Sequence, residues 1–401
     1  MKGRGSRVWD LDGNEYLDLC GKFGANILGH NDERYVEGIA GTLREISAAN
    51  LGTAECETAE LICAFVPGAE MVRFSLSGTD AVQNALRLAR AHTGKNRFIR
   101  FHTHYHGSAD NLLGGAVGDL AHPVPREFPG DAADTLGKAR DVLRDQSFLL
   151  PWNDAEALAR VLDAHGDDVA AVLMEPVCMN GGGVWPAPGY LENVRRLCDA
   201  HGALLVFDEI ITGFRMGPGG AQEQLGVTPD LTTLGKAMAG GALPVSAVAG
   251  SREVMRLYED RRVVHGGTFN GYPLGMAAVR STLRILRDSG GAGHLEMAKR
   301  LRGITTALLD AAERHGFRLE MRGIDACGIF HFAEDGPSRG RSQHLPLMLL
   351  GEALAGHGIL ASNLNRLYGN LSLTPSDEEF FAQRIEDAFT SVRASLRKLL
   401  A

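Results

Sequence analysis

Between residues 55 and 250, short apolar runs alternate with segments whose apolar residues recur at helical spacing, and this restricts the fold more than any other feature. Val169–Met174 and Ala203–Phe207 are continuously apolar and bounded by turn residues, as expected of strands covered on both faces. Met71–Leu76, Phe98–Phe101, Leu231–Leu234 and Val245–Ala249 are further strand candidates. Thr58–Phe65, Asp80–His92 (with Ala81, Ala85, Leu88 and Ala89 on one face) and Tyr190–His201 read as helices. Strands alternating with helices of about 10–15 residues predict an α/β fold built on a mostly parallel, doubly wound sheet.

The alternation stops near residue 275. Amphipathic helices are predicted at 275–287, 293–315, 346–357 and 378–399, with strand-like pieces near 318–333. At the other end, apolar residues alternate on both sides of Asp12-Gly13-Asn14, a hairpin signal. The expected division is a large domain over 46–275 and a smaller α+β domain made from 1–45 and 276–401.

Composition removes several classes of function. Lys and Arg number 41 against 49 Asp and Glu, a formal net charge of −8 without a long basic run, which argues against phosphate-backbone binding. No run approaches the roughly 18–20 apolar residues of a membrane helix. Met1–Asp10 is charged and has no apolar core, unlike a secretory signal. Cys20, Cys56, Cys63, Cys178, Cys198 and Cys327 are scattered without metal-type spacing and read as free thiols of a cytoplasmic protein. The 50 glycines exceed the usual share of about 7% and point to tight turns and close backbone approach to a ligand.

In a parallel sheet, ligands gather at the carboxyl ends of the strands. Five predicted ends carry chemistry. Leu204–Phe207 runs into Asp208 and Glu209, Ala170–Met174 into Glu175 and Pro176, and Leu231–Leu234 into Gly235 and Lys236. Phe98–Phe101 runs into the aromatic and histidine loop His102–Gly107, and Val72–Leu76 into Ser77-Gly78-Thr79 at a helix start. That helix start suits an anion, because free amides, two hydroxyls and the positive end of the helix dipole meet there; plain N-capping by Ser77 is the alternative reading. Lys236 precedes small, apolar residues, a setting in which a lysine can become a Schiff-base nucleophile; a lysine snorkelling to solvent is the alternative reading. His102, His104 and His106 alternate on one face but have no Cys or carboxylate close in sequence, so no metal is expected. Asn180–Gly183 and Gly217–Gly220 are glycine-rich yet match neither a dinucleotide fingerprint nor a P-loop.

Taken in order, Ser77–Asp80, Tyr105–Gly107, Glu175-Pro176, Phe207–Ile210, Thr212–Arg215, Thr233–Lys236 and Gly267–Asn270 resemble the class III aminotransferases. These are fold type I enzymes that use pyridoxal 5′-phosphate, and the resemblance runs from Gly5 to Asp377. It is nearest to the glutamate-1-semialdehyde aminomutase-like branch. The resemblance implies that Lys236 binds the cofactor and carries the proton shift, and that Asp208 pairs with the ring nitrogen. It implies that Tyr105 and Ile210 cover the two ring faces, that Ser77, Gly78 and Thr79 hold the phosphate, and that His106 and Asn180 contact the cofactor. Thr268 would reach the phosphate of a neighbouring subunit's cofactor, which implies a homodimer. Glu175 is expected to be structural.

Two departures bear on the substrate. The aminomutases carry an N-terminal extension that holds the substrate carboxylate, and this chain begins after it. Their acidic Phe-Glu-Ala-Gly-Phe segment is replaced by Arg366–Asn370, so Arg366 is a candidate carboxylate binder. The expectation is therefore transamination between an amino donor and a ketone or aldehyde by a ping-pong route, with an aminomutase or racemase as the alternative. The start of the chain also leaves room for an excised domain that acts on a carrier-bound substrate. A non-catalytic relative would be expected to lose Lys236 or Asp208, and both are present.

Overall fold

Every residue of Val169–Met174 is buried, and successive side chains enter two different cores. Val172 and Met174 pack with Ile99, Phe101, Phe148, Leu205 and Phe207, whereas Ala171 and Leu173 pack with Val82, Ala85, Phe98, Val206 and Val248. An apolar run without polar alternation is thus a strand with helices on both faces. The computed structural model describes residues 2–48, 52–113, 146–333, 344–362 and 365–400.

Its strands are β1 (Lys2–Arg4), β2 (Arg7–Trp9), β3 (Glu15–Leu19), β4 (Met71–Ser75), β5 (Arg97–Phe101), β6 (Ser147–Leu150) and β7 (Val169–Met174). They continue with β8 (Leu204–Asp208), β9 (Leu231–Leu234), β10 (Ser246–Gly250), β11 (Leu319–Ile324), β12 (Cys327–Phe332), β13 (Ile359–Ala361) and β14 (Arg366–Tyr368). The chain divides into two compact units, one of Met1–Gly41, Gly240–Ala242 and Arg284–Ala401, the other of Thr42–Ala239 and Leu243–Leu283.

The larger unit holds a seven-stranded sheet in the order β4-β10-β9-β8-β7-β5-β6. Strands β5 to β9 pair in parallel, and β10 runs antiparallel to both β9 and β4. All the parallel strands, β4 included, therefore deliver their carboxyl ends to one edge. Helices Gly78–Thr93 and Arg252–Glu259 supply one core, and helices Ala155–His165 and Tyr190–His201 supply the other. Strand β6 and helix Ala155–His165 are elements that the periodicity did not bring out.

The helix Gly78–Thr93 starts where it does because Ser77 and Asp80 form a capping box, and it ends at Gly94 with φ +71°. Tyr190–His201 likewise ends at Gly202 in the left-handed region. Both stops place the next strand within a few residues.

The smaller unit carries the sheet β1-β2-β3-β13 and the antiparallel sheet β11-β12-β14. The β2–β3 hairpin turns at Asp12–Asn14, and the Asp10 carboxylate accepts the amides of Asp12 and Asn14. Its core joins Leu17 and Leu19 to Leu301, Leu308, Phe330 and Phe389 from the C-terminal elements. No helix among the described residues is long and apolar enough to cross a membrane. None of the six cysteines is in a disulfide.

Candidate active site

Asp208 closes strand β8 and is buried, with 4% of its surface exposed. Its Oδ2 lies 2.7 Å from His106 Nδ1, so that nitrogen carries the proton and donates it. Its Oδ1 accepts the Ile210 amide at 3.1 Å and the Thr233 hydroxyl at 3.2 Å. Thr233 stands opposite Asp208 in the β8–β9 register. Three donors from three directions thus fix this carboxylate in one rotamer.

Glu175 follows the neighbouring strand β7 and is also buried. Its Oε1 accepts the Tyr105 amide at 2.7 Å and Asn180 Nδ2 at 2.8 Å, and its Oε2 accepts the Asn180 amide at 3.0 Å. Burial pushes the Glu175 carboxyl up, opposed by His106 and by these donors. The Glu175 amide donates in turn to His104 Nδ1 at 3.0 Å. That bond leaves the His104 proton on Nε2, and burial, helped by His106 and His102, holds the ring neutral well below its usual range.

Tyr105, whose amide is given to Glu175 and whose neighbour His106 meets Asp208, is 39% exposed. Its hydroxyl is pushed up by burial and then by the charge of Asp208. An aromatic ring is therefore held beside the end of β8 with a face available.

At the end of β4, Ser77 Oγ accepts the Asp80 amide at 3.2 Å, while Asp80 accepts the Ser77 amide at 3.1 Å. The first-turn amides of Gly78 and Thr79 have no acceptor within the helix. Thr79 Oγ1 receives the Ser108 amide at 3.1 Å, which ties this helix start to the loop after β5. A Cβ on Gly107, whose φ is +114°, would lie 2.4 Å from Thr79 Oγ1, so only glycine fits that approach.

Lys236 follows β9 and Gly235, with φ +42°, and opens a short 3₁₀ turn over Lys236–Ala239. Ala237, Met238 and Ala239 are buried, so the lysine stands on a rigid apolar base. A lysine in the left-handed region is strained, and strain of this kind gathers at functional positions. Ile210 lies between two glycines: a Cβ on Gly78 would be 3.2 Å from its Cδ1, and one on Gly235 would be 3.0 Å away. Ile210, two residues after Asp208, therefore meets both the helix start and the residue before Lys236.

The contacts join Gly78, Thr79, Tyr105, His106, Asn180, Asp208, Ile210 and the approach to Lys236 in one network. Ser77 belongs to the helix cap. Thr268 does not join it; it is exposed in a stretch where Val264 and Phe269 are exposed too. Arg366 lies in the smaller unit, on β14 opposite Ile329, and is buried. Glu209, next to Asp208, faces the other way. Its carboxylate accepts Thr212 Oγ1, the Ala221 and Gln222 amides and Gln222 Nε2, which makes it a core anchor.

Thr233 and His104 are contributors to which the sequence assigned no place in the site. The parallel register would have indicated Thr233, while nothing local indicates which backbone amide His104 meets. Among the described residues, no cluster of three or more His, Cys, Asp or Glu is placed to hold a metal ion.

Chemically, the edge offers an anion site at a helix start, a buried carboxylate for a cationic ring nitrogen, an aromatic and an aliphatic side chain, and a primary amine. His106 Nε2 is buried without a partner, which leaves polar capacity beside Asp208 for a bound group. These residues fit a phosphorylated pyridine aldehyde.

The pattern of the family described as aminotransferase class-III matches residues 1–388. The chain is 41% identical over 346 residues to glutamate-1-semialdehyde 2,1-aminomutase 2 of Brevibacillus brevis, covering 83% of this chain and 76% of that protein. It is 42% identical over 319 residues to glutamate-1-semialdehyde 2,1-aminomutase of Pelotomaculum thermopropionicum, covering 79% of this chain and 71% of that one. Among solved structures, an omega-transaminase from Sphaerobacter thermophilus superposes with a TM-score of 0.88 at 32% identity, over 98% of this chain and 91% of its own. The chain belongs to the class III aminotransferases, fold type I enzymes whose cofactor is pyridoxal phosphate.

Proposed function

We propose that this protein is an aminotransferase that takes an amino group from a donor and passes it to a ketone or aldehyde acceptor in two half-reactions. The observation that carries the reading is the convergence at neighbouring strand ends. Asp208 is pinned at the end of β8, Lys236 is strained after β9, and Ile210 bridges Gly78 and Gly235 between them.

Pyridoxal phosphate, when bound, supplies a carbonyl carbon that exchanges amine partners and a ring that takes up the electron pair left by a departing proton. The chain's own residues do the rest. Lys236 Nζ would hold the cofactor through its carbonyl carbon, with loss of water, and would take the proton from the substrate's α-carbon and return it across the 1,3-shift. Asp208, held by His106, Thr233 and the Ile210 amide, keeps a proton on the ring nitrogen. Tyr105 and Ile210 hold the ring from its two faces. Ser77, Gly78 and Thr79 take the phosphate at the helix start, and Asn180 orients the ring's oxygen. Thr268 serves the neighbouring subunit's cofactor in a homodimer. Six cysteines with no disulfide among them support a cytoplasmic location.

A second reading is favoured by the names of the relatives. An intramolecular aminomutase needs the same Lys236 and Asp208 and differs only in whether the intermediate amine escapes; a racemase shares the machinery as well. Arg366 is proposed to bind a substrate carboxylate, and Arg366→Ala should raise KM for carboxylate-bearing substrates while sparing neutral amines.

The test is the visible spectrum of the purified protein, followed by a panel of amino donors. A band that shifts to the pyridoxamine form with a donor, and returns only with a carbonyl acceptor, supports transamination. Turnover of a single substrate without any acceptor supports the aminomutase or racemase instead. No band after incubation with pyridoxal phosphate would overturn the role given to Lys236. Sedimentation as a single-chain species would remove Thr268 from the site.

A further inference from the structure

We propose that His104 is a positioning residue: seated against the end of β7, it fixes Glu175 so that one carboxylate carries both Tyr105 and Asn180. This rests on the reading above, in which Tyr105 and Asn180 face the cofactor.

Two consecutive residues grip Glu175 from opposite sides. The His104 ring takes the Glu175 backbone amide at 3.0 Å, and the Tyr105 backbone amide is given to the Glu175 carboxylate at 2.7 Å. The pairing is reciprocal, as in a helix capping box, but it links a loop to a strand end. Its third residue, His106, is fixed on Asp208 at 2.7 Å. Three successive positions of one loop are therefore fixed to the ends of two neighbouring strands.

The loop reaches this arrangement through a costly turn. Thr103 has φ +65°, an unfavourable value for a β-branched residue. Its hydroxyl donates to the His102 carbonyl and lies 3.4 Å from Cys178 Sγ. The turn brings the His104 ring inside, where 2% of the residue is exposed, with its centroid 4.6 Å from that of Trp152.

Packing alone does not account for the residue. His104 Nε2 is buried without a hydrogen-bond partner, a cost that an apolar side chain at the same place would avoid. What the imidazole supplies and an apolar group does not is the acceptor at Nδ1.

The test compares three variants of the holoenzyme. His104→Asn keeps an acceptor near the Nδ1 position, His104→Leu removes it, and Glu175→Gln turns an amino group toward amide donors. His104→Leu and Glu175→Gln should lower kcat about tenfold or more, as expected when a reacting group is slightly misplaced. They should also weaken the visible circular dichroism of the bound cofactor. His104→Asn should recover both readouts. Amide exchange at Tyr105 and Asn180 should quicken in the Leu and Gln variants and stay slow in the Asn variant.

Wild-type kcat and dichroism in His104→Leu, or equal failure of the Asn and Leu variants, would overturn the proposal. If His104→Leu does not fold, Glu175→Gln and the Asn rescue carry the test. If the wild type binds no pyridoxal phosphate, the cofactor reading fails, and amide exchange at the two residues still decides whether His104 fixes them.

Discussion

The turns after β7 and β8 begin alike and end differently. Each comes after a fully buried apolar strand, the strands are paired with Met174 opposite Phe207, and each opens on a buried carboxylate. After β7, Glu175 is filled by amide hydrogens from Tyr105 and Asn180, none of which titrates. After β8, two carboxylates share the turn. Glu209 is filled by the Thr212 hydroxyl and by amide hydrogens of Ala221 and Gln222, while Asp208 is held by a hydroxyl, one amide and an imidazole. Of the three carboxylates, only Asp208 has an imidazole among its hydrogen-bond partners in the described residues.

The largest effect should come from removing the charge that the β8 turn presents. Asp208→Asn is expected to lower kcat/KM by about 10²–10³-fold with the far-ultraviolet circular dichroism unchanged. Equal loss from Glu209→Gln would break the distinction drawn between the two acids.

Glu209 should instead register in stability. Glu209→Ala strands several buried donors and is expected to cost about 3 kcal/mol, read as a lower denaturant midpoint, because each abandoned polar group costs about 1–3 kcal/mol. Thr233→Val removes one of Asp208's three donors. It should lower kcat severalfold, the equivalent of about 1 kcal/mol, without moving the midpoint much.

The smallest effect sharpens the β7 side. His104 is held neutral by burial, well below its ordinary value of 6.5. Below that pH the unfolded chain takes up a proton that the folded chain refuses, so stability falls as the solution is acidified. The slope approaches about 1.4 kcal/mol per pH unit. Thermal unfolding between neutral pH and pH 5.5 should show a shallower slope in His104→Asn than in the wild type.

Much of the fold and the site is legible in the residues. Parallel pairing forces carboxyl ends to one edge, so the positions just past each apolar run single out Ser77, Tyr105, Glu175, Asp208 and Lys236 without any knowledge of contacts. The direction of β10 is equally available in the chain, although the alternation alone does not give it. Between Leu234 and Ser246 there is only a 3₁₀ turn, too little for the crossover that a parallel neighbour requires. Strand β6 is four residues with no alternation, indistinguishable from other short apolar runs. The opposite fates of Asp208 and Glu209 depend on which groups come back from Thr212–Gln222, a tertiary outcome with no local signal. The partner of His104, the Glu175 amide, is long-range for the same reason.

The positive φ of Lys236 has an evolutionary consequence. A glycine would adopt that backbone without strain, so Lys236→Gly should lose activity while the relieved strain offsets part of the stability lost with the side chain's contacts and with the freer unfolded chain. A library screened for heat resistance and for turnover separately should therefore part at this position, with glycine tolerated in the first screen and lysine required in the second.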